Sequence, residues 1–407
     1  MPPDKTLSHT LENRYSQVRS FLKKEGLGAL FAYSPAAEHK WGQTGHVSYL
    51  SGWANHDRIV DSAVVVPSEG SPTLLVAGLP YMLDQIPDAS CIENILLVQS
   101  IDPNAVAVEK TKDPNLKSSL RTFGGATQEI LNLNGLNDRD VGVVGIENMS
   151  VLFYESLVCE FGGRLKRVRD IIGDMRSTKE PDEMALMRHS AHLGDLGFET
   201  LLSTARPGMT GIEIIAEMER VVREKGADHA KYWMASGPPT TWEDTRLDIK
   251  PHERVLNQGD MISVCSYIVY KGYWSHGHRT GSMGKTSDYL EHITGIARDS
   301  QNAGLEAIRP GARAGDIAKA VREKSSEFGW KLQGGRVGHG IGLDYSEIPI
   351  PSESNDTILK PGMTLVLHSA FSLPESGKMF VPLGDHIRVT EGIPEFLMQF
   401  PRTPFEI

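Results

Sequence analysis

The spacing of hydrophobic positions in the first part of the chain alternates between helix and strand periods. Residues 11–26 repeat apolar positions at helical spacing, with Tyr15, Val18 and Leu22 on one face. Short apolar runs of strand length follow at residues 29–32, 63–66, 73–76 and 141–146. Helical segments that alternate with short apolar runs are typical of an α/β domain with a mixed sheet, which we predict here.

The second part of the chain contains an internal repeat with a constant offset of 103 residues. Three segments recur at this offset: 206–208 at 309–311, 236–237 at 339–340, and 255–266 at 358–369. Two copies are too few for a solenoid, so the repeat predicts one domain with pseudo-twofold symmetry. A pocket on such an axis draws one wall from each copy. Cys265 and His368 are then symmetry mates that face a shared site.

The two parts meet within residues 169–183, where Pro181 and the carboxylates beside it suit the amino end of a helix. We therefore predict an amino-terminal α/β domain over residues 1–172 and a second domain over residues 173–407. In the second domain each repeat reads helix, turn, helix and then strands, with Gly226 and Gly329 ending the second helices. The predicted class is α/β with α+β character.

Composition restricts the functional classes without choosing among them. The 407 residues carry a net charge of −10, which argues against a nucleic-acid partner because phosphates would be repelled. The amino terminus has no apolar run of the signal-peptide kind, and no segment has the length and apolarity of a membrane span. Three widely spaced cysteines favour a reduced, cytoplasmic setting over a disulfide framework.

Strand periodicity brings several histidines to one predicted locus. Residues two apart in a strand share a face, so His276, His278 and Thr280 are expected on the same side. His339 lies among glycines, where the backbone can approach a bound group closely. Any one of these histidines is more often a structural residue than a functional one. Together they make a candidate site.

Six short motifs, in order and at fitting spacing, resemble the pita-bread fold of creatinase, prolidase, aminopeptidase P and methionine aminopeptidase. They are Gly259-Asp260, Gly272-Tyr273, residues 338–342, Glu347-Ile348-Pro349, Pro361-Gly362-Met363 and Val389-Thr390-Glu391. The resemblance covers residues 176–397. It extends more weakly to residues 49–53, which look like the start of a creatinase- or prolidase-type accessory domain. It implies a carboxy-terminal pita-bread domain preceded by a smaller creatinase-type α/β domain.

The resemblance also implies a set of metal positions, and the residues found there are unusual. The peptidases of this family hold two divalent metals with two aspartates, one histidine and two glutamates. Those positions correspond here to Cys265, His276, His339, His368 and Gly384. The histidine that orients the substrate becomes Asp248. Because the carboxylates that would balance two cations are missing, the sequence predicts that the chain is not a dinuclear peptidase and stands nearest to creatinase-like members.

Two interpretations of this pocket remain open at the sequence level. In the first, His276, His339 and His368 hold one transition metal such as zinc, iron or nickel, with Cys265 or Asp385 as a fourth ligand. In the second, the site is metal-free, as in creatinase, and clustered imidazoles bind an anionic small molecule and pass protons. A third interpretation is a non-catalytic binding protein.

The remaining candidates surround this pocket. His278, Asp248 and Glu347 are predicted to move protons, and Trp233 and Trp242 to contact the substrate. The resemblance implies a homodimer in which His56 and Arg58 reach the neighbouring subunit's pocket. Arg279 alternates away from His276 and His278, so we predict a structural role for it.

The predicted function is hydrolysis of a carbon–nitrogen bond in a small, polar, carboxylated compound, in the manner of creatinase and ectoine hydrolase. The runner-up is a metal-assisted lyase that acts by elimination, since the family also contains such an enzyme. A hydrolase needs a water held for attack, whereas a lyase needs only a base beside an acidic carbon–hydrogen bond.

Overall fold

A computed structural model describes residues 6–35, 45–53, 60–77, 90–99, 122–238, 253–372 and 379–407. The chain divides into two compact units, Met1–Arg176 and Ser177–Ile407. The division falls four residues after the predicted boundary at residue 172. Four predicted site residues lie outside the described residues: His56, Arg58, Trp242 and Asp248. No described helix is both long and apolar enough to cross a membrane.

The first unit is built on a mixed sheet, as the short apolar runs predict. Its strands are β1 (Ala29–Ser34), β2 (Ser62–Pro67), β3 (Thr73–Ala77), β4 (Asn94–Val98), β5 (Val141–Val144) and β6 (Leu165–Arg167), in the order β4-β3-β2-β1-β5-β6. Strand β1 pairs antiparallel with β2 and parallel with β5. Strand β5 is shorter than its apolar run because Gly145 has a φ of 81° and turns the chain away.

Helices complete the first unit. They are α1 (Thr6–Glu25), α2 (Gly45–Ser51), α3 (Phe123–Leu133), α4 (Val151–Phe161) and α5 (Ile171–Arg176). The side chains of Thr122 and Ser150 accept backbone hydrogen bonds at the starts of α3 and α4. Phe31 on β1 packs between Phe123 and Phe153 of these helices, with ring centroids 6.3 and 6.5 Å away. This aromatic core fixes the two helices on the sheet.

The second unit repeats itself at the predicted offset. Its helices are α6 (Pro181–Thr204), α7 (Gly211–Glu224), α8 (Asp288–Ala307) and α9 (Ala314–Glu327). An offset of 103 residues carries α7 onto α9 and the last residue of α6 onto the last residue of α8. Gly226 and Gly329, with φ of 96° and 74°, follow the ends of α7 and α9 as predicted. The internal repeat is therefore confirmed.

In the part of the second unit that the structure describes, the strands form three sheets. The strands are β7 (His229–Gly237), β8 (Met261–Tyr270), β9 (Tyr273–Ser282), β10 (Lys331–Leu332), β11 (Gly338–Gly340), β12 (Thr364–Leu367), β13 (Phe371–Ser372), β14 (Met379–Phe380), β15 (Asp385–Arg388), β16 (Glu395–Phe396) and β17 (Phe405–Glu406). Their orders are β17-β9-β8-β7, β11-β12-β15-β16 and β10-β13-β14. Each of the first two sheets forms one wall of the candidate site. Both β8 and β9 are buried along almost their whole length.

The start of α6 shows how local sequence sets an element. Pro181 occupies the first turn, and Glu180 and Glu183 form a reciprocal capping box with each other's backbone N–H groups. A proline without an N–H is tolerated there, and carboxylates near a helix amino end are stabilising. The predicted helix start is confirmed.

Candidate functional site

The first wall of the site is one face of the sheet formed by β7, β8 and β9. Cys265 lies directly opposite Trp233 on β7 and His278 on β9, and Tyr267 lies opposite His276. Directly opposed residues of antiparallel strands point to the same face. Strand alternation alone therefore gathers these five side chains on one surface.

The second wall comes from β11, β12 and β15. His339 on β11 lies opposite Val366 on β12, and Val366 lies opposite His386 on β15. His368 follows Val366 by two residues, just beyond the end of β12. The imidazoles of His339 and His386 therefore share a face of this sheet.

Three of the predicted histidines are close neighbours in space, and we name His276, His339 and His368 the histidine cluster. The ring centroid of His368 lies 5.1 Å from that of His276 and 5.1 Å from that of His339. The rings of His276 and His339 are 6.1 Å apart. Side chains separated by up to 92 positions in the chain thus meet at one point.

Hydrogen bonds define which ring nitrogens of the cluster are free. Nδ1 of His276 donates to the carbonyl of Ser266 and Nδ1 of His339 donates to the carbonyl of Gly340, both at 2.8 Å. A carbonyl only accepts, so each Nδ1 carries the proton and each Nε2 keeps its lone pair. Within the described part of the chain, Nε2 of His339 and of His368 are buried without a partner.

These bare nitrogens fit a transition metal. Metal-bound histidines usually donate their other N–H to a carbonyl or carboxylate, as His276 and His339 do here. In the described residues, however, no three His, Cys, Asp or Glu side chains are already arranged around a metal position. The cluster therefore has the chemistry of a metal site, and its rings would have to turn toward a common point to hold an ion.

Burial keeps the cluster uncharged. Burial and the neighbouring His339 hold the pKa of His276 well below its ordinary value of 6.5. Burial and His276 do the same to the pKa of His368. The pKa of His339 falls to about 4, mainly through burial. At neutral pH the three imidazoles are neutral, which is the form that ligates metals.

Cys265 lies beside the cluster as a thiol. Its Sγ is 3.7 Å from Nε2 of His276 and donates to the hydroxyl of Tyr267 at 3.4 Å. Burial raises the pKa of Cys265 to about 12. A protonated thiol is a weak nucleophile, so this environment disfavours covalent catalysis by Cys265.

His278 and Glu347, two of the predicted proton carriers, are both buried and engaged. The Ser263 hydroxyl lies 2.6 Å from Nε2 of His278, whose pKa burial and Arg279 lower to about 3. Oε2 of Glu347 accepts from Nζ of Lys179 at 2.8 Å, and its Oε1 accepts from the backbone N–H of Asp344. The sequence predictions did not include Lys179, which lies 168 positions before Glu347.

Asp385 faces away from the cluster. Its Oδ1 lies 3.1 Å from the guanidinium of Arg279, and its Oδ2 accepts from Arg402 at 2.8 Å. Asp385 is opposite Leu367, so it occupies the face opposite to His386. Both arginines form ion pairs with this carboxylate, on the face that points away from the histidine cluster. Arg279 also donates to the carbonyls of Gly384 and Phe400, a structural pattern.

Gly384 stands where the resemblance places a metal-binding glutamate. A Cβ built there would lie 2.9 Å from Cβ of His278, 3.0 Å from its backbone nitrogen and 3.2 Å from Cβ of His368. Such contacts are tighter than packed atoms accept. The histidines therefore occupy the space that a side chain at residue 384 would need.

Aromatic rings surround the cluster. Tyr267 packs against Trp233 and His276 with centroids 4.7 and 4.5 Å away, and Tyr345 packs 4.6 Å from His339. The two tyrosine hydroxyls are hydrogen-bonded to each other. Tyr267 could have been found from its spacing of two from Cys265, which puts both on one face.

A cavity of about 470 Å³ lies elsewhere, between α6 and the segment that follows β16. Its lining includes Arg188, His192, Asp195 and Gln399. The backbone N–H groups of Gln399 and Phe400 donate to Asp195. None of the clustered histidines is among the residues that line this cavity. Its buried carboxylate, Asp195, holds the backbone at Gln399 and Phe400 in place.

Known proteins resemble this chain in sequence and in fold. The model of metallopeptidase family M24 matches residues 185–391, half of the chain. The Xaa-Pro dipeptidase of Pyrococcus furiosus is 26% identical over 265 residues, which cover 63% of this chain and 72% of that protein. An uncharacterized hydrolase/peptidase of Sinorhizobium fredii, y4tL, is 30% identical over 284 residues, or 66% of this chain and 69% of that protein.

Solved structures agree with the fold. The X-Pro aminopeptidase of Thermotoga maritima has a TM-score of 0.75 to this chain at 20% identity, covering 97% of this chain and 99% of that one. The Xaa-Pro dipeptidase of Bacillus anthracis also gives 0.75, covering 98% and 100%. The predicted pita-bread domain with a smaller amino-terminal α/β domain is confirmed.

These findings correct the predicted activity. The sequence predicts a hydrolase outside the peptidases, with a lyase or a binding protein as alternatives. That prediction is wrong, since the matching family and relatives are peptidases by name. The absence of the family's metal-binding carboxylates does not by itself exclude peptide hydrolysis. The chain belongs to metallopeptidase family M24.

Proposed function

We propose that this protein hydrolyses a peptide bond in a short peptide with the help of one divalent transition metal held by the histidine cluster. The observation that carries the proposal is the pair of bare, buried Nε2 atoms on His339 and His368 beside His276. Burying unpaired polar atoms is costly, so a partner is expected there. Family M24 peptidases typically use divalent metals, which supports the same assignment.

The residues present suit zinc, iron or nickel rather than magnesium or calcium, because imidazole is the common ligand. A bound transition metal supplies a Lewis acid that polarises the scissile carbonyl and lowers the pKa of an attacking water. The carbonyls of Ser266 and Gly340 keep the proton of His276 and His339 on Nδ1, which leaves Nε2 of each ring as the ligating atom. Cys265 is the neighbouring candidate for a fourth ligand, and ligation would require loss of its proton.

Glu347 is the proton acceptor that we assign in this chain. Its carboxylate is held in place by Lys179. It also lies near enough to His339 to oppose, in small part, the lowering of the His339 pKa by burial. A carboxylate oxygen can accept a proton from water and return it to the leaving amine. His278, kept neutral and 2.6 Å from the Ser263 hydroxyl at Nε2, is a second candidate for moving the proton.

Substrate size and type are suggested by the relatives and the aromatic wall. Relatives named Xaa-Pro dipeptidase make Xaa-Pro dipeptides the first compounds to test. The rings of Trp233 and Tyr267, 4.7 Å apart, give the cluster an apolar flank that suits a side chain or ring of the substrate. Asp248, Trp242, His56 and Arg58 stay candidates, and the homodimer implied by the creatinase resemblance is part of the proposal.

The proposal is tested by metal analysis joined to peptide turnover. Protein purified without a histidine tag or chelator should contain about one equivalent of a transition metal and cleave Ala-Pro. His339→Ala and His368→Ala should each lose most of the metal and fall to background turnover, because two ligands hold a divalent ion poorly. Chromatographic mass measurement in the same preparation checks the homodimer.

A matched control is His292→Ala, which removes an exposed histidine on α8. It should keep both metal and activity. Wild-type protein that cleaves peptides at full rate after metal removal would overturn the single-metal mechanism. Metal-loaded protein that cleaves no dipeptide or tripeptide would overturn the assignment to peptides.

A further inference from the structure

We propose that His386 is a substrate-binding residue, which recognises a substrate group carrying both a hydrogen-bond acceptor and a donor. The amino-terminal unit of a short peptide is such a group, since its carbonyl accepts and its amino group donates. The identity of the substrate as a peptide rests on the proposed function. The assignment of His386 to ligand binding rests on its own surroundings.

The position of His386 directs it toward the site. It lies opposite Val366, which in turn lies opposite His339, so His386 and His339 occupy one face of the sheet β11-β12-β15. His386 is also close enough to His339 and Lys179 for both to lower its pKa, and it in turn lowers the pKa of His276.

The imidazole of His386 is fully buried, at 0% exposure, and within the described residues neither Nδ1 nor Nε2 has a hydrogen-bond partner. Its chain neighbour Asp385 is equally buried but is paired with Arg279 and Arg402 on the other face. Buried polar atoms in folded proteins are almost always satisfied. Two unsatisfied nitrogens on one ring, on the face of the candidate site, indicate that a bound molecule supplies the partners.

The charge state of His386 defines what it can bind. Burial, followed by Lys179 and His339, lowers its pKa to about 3, so the ring is neutral at neutral pH. A neutral imidazole has one N–H donor and one acceptor nitrogen. A lone carboxylate would match the donor and face the acceptor with negative charge. A group with a carbonyl oxygen and an N–H matches both.

The experiment compares His386→Leu with His386→Gln in the metal-loaded full-length protein. Leucine and glutamine are close in size, but glutamine keeps one donor and one acceptor. With Ala-Pro as the probe, His386→Leu should raise KM roughly tenfold or more, which is the loss expected for about two neutral hydrogen bonds. His386→Gln should stay within about threefold of wild type. Metal content should be unchanged in both variants, and His292→Leu on the surface is the matched control.

Thermal unfolding of the substrate-free protein supplies an independent readout. If both nitrogens lack partners before substrate binds, His386→Leu should leave Tm unchanged or raise it, because removing unsatisfied buried groups relieves their desolvation cost. A clear fall in Tm would show that the nitrogens are satisfied in the free protein and would overturn the inference. Equal loss of affinity in the leucine and glutamine variants would also overturn it, since shape alone would then explain the effect.

Calorimetric binding of Ala-Pro separates this inference from the proposed function. Wild-type protein that binds Ala-Pro but cleaves no dipeptide or tripeptide contradicts the peptidase assignment, and the leucine and glutamine variants then decide the role of His386 through Kd. Wild-type protein that neither binds nor cleaves any dipeptide or tripeptide overturns both.

Discussion

Asp385 and His386 are adjacent in the chain and have opposite surroundings. The carboxylate of Asp385 contacts two guanidinium groups, whereas the imidazole of His386 faces the candidate site without a partner in the described residues. Strand alternation is the cause, because successive side chains point to opposite faces of the sheet. The functional prediction for each residue therefore follows from the face that it occupies.

Replacement of Asp385 tests its structural role against the predicted role as a metal ligand. Asp385→Asn leaves Arg279 buried and without its counter-charge, which should lower the free energy of unfolding by about 3–5 kcal/mol. Bound metal, measured by elemental analysis of the folded fraction, should stay at the wild-type level. Urea denaturation followed by fluorescence gives the stability change.

Asp356→Asn is the control for that comparison, since it removes the carboxylate of an exposed ion pair with Arg313. Exposed pairs contribute little, so the change should be below about 1 kcal/mol. A loss of metal from Asp385→Asn at unchanged stability would assign Asp385 to the metal site after all.

Equivalent turns of the two repeats use glycine in the same backbone conformation. Gly259 and Gly362, one repeat apart, have φ of 87° and 89° and lead into β8 and β12. Most other residues are disfavoured at such angles. These turns start the two strands that carry Cys265 and lead to His368, so their geometry positions the walls of the site.

Alanine at these two glycines should have unequal effects. Gly259→Ala should cost about 1–2 kcal/mol from backbone strain alone, because nothing lies within 4 Å of the added Cβ. Gly362→Ala should cost more, since its Cβ would lie 3.1 Å from Thr178 and 3.2 Å from the carbonyl of Lys179. Denaturant midpoints measure both costs. Gly295→Ala in α8, where the Cβ meets open space, should instead stabilise by about 0.5–1 kcal/mol.

Equal costs at residues 259 and 362 would contradict this account, because the predicted difference comes from the contacts with Thr178 and Lys179. Destabilisation by Gly295→Ala would also contradict it, because neither the helical backbone at this position nor a close neighbour opposes an added methyl group.

Within its described residues, the second unit buries five imidazoles whose pKa values are lowered: His276, His278, His339, His368 and His386. The lowered values are about 3 for His278 and His386 and about 4 for His339. Unfolded histidines titrate near 6.5. Below that pH the unfolded chain binds more protons than the native protein, so acid favours unfolding.

Stability of the metal-free protein should therefore fall as the pH drops from about 6.5 toward 4. Each such histidine contributes up to about 1.4 kcal/mol per pH unit in this window. Urea denaturation at pH 7.5, 6.0 and 5.0 measures how steeply the free energy of unfolding depends on pH. His386→Leu should reduce this dependence by up to the contribution of one histidine. Stability that is unchanged between pH 7.5 and 5.0 would contradict the burial of neutral imidazoles.

Local sequence patterns predicted the fold well. Helical spacing and short apolar runs identified α1, β1, β2, β3 and β5, and Pro181 with its carboxylates identified the start of α6. The 103-residue offset predicted the repeated architecture, because each copy has to place the same helices and strands. The predicted activity is wrong, because the loss of metal-binding carboxylates does not by itself determine which bond a protein of this family hydrolyses.

By itself, the sequence determined many of the helices and strands and the internal repeat, because periodicity and fixed offsets are local or repeated properties. The resemblance to the pita-bread proteins singled out His276, His339 and His368. Only the tertiary structure decided which polar groups are paired. Lys179 pairs with Glu347 across 168 positions, and Asp385 is shared by Arg279 and Arg402. Hydrogen-bond partners depend on contacts between distant segments, which no local pattern specifies. The unpartnered ring of His386 became visible for the same reason.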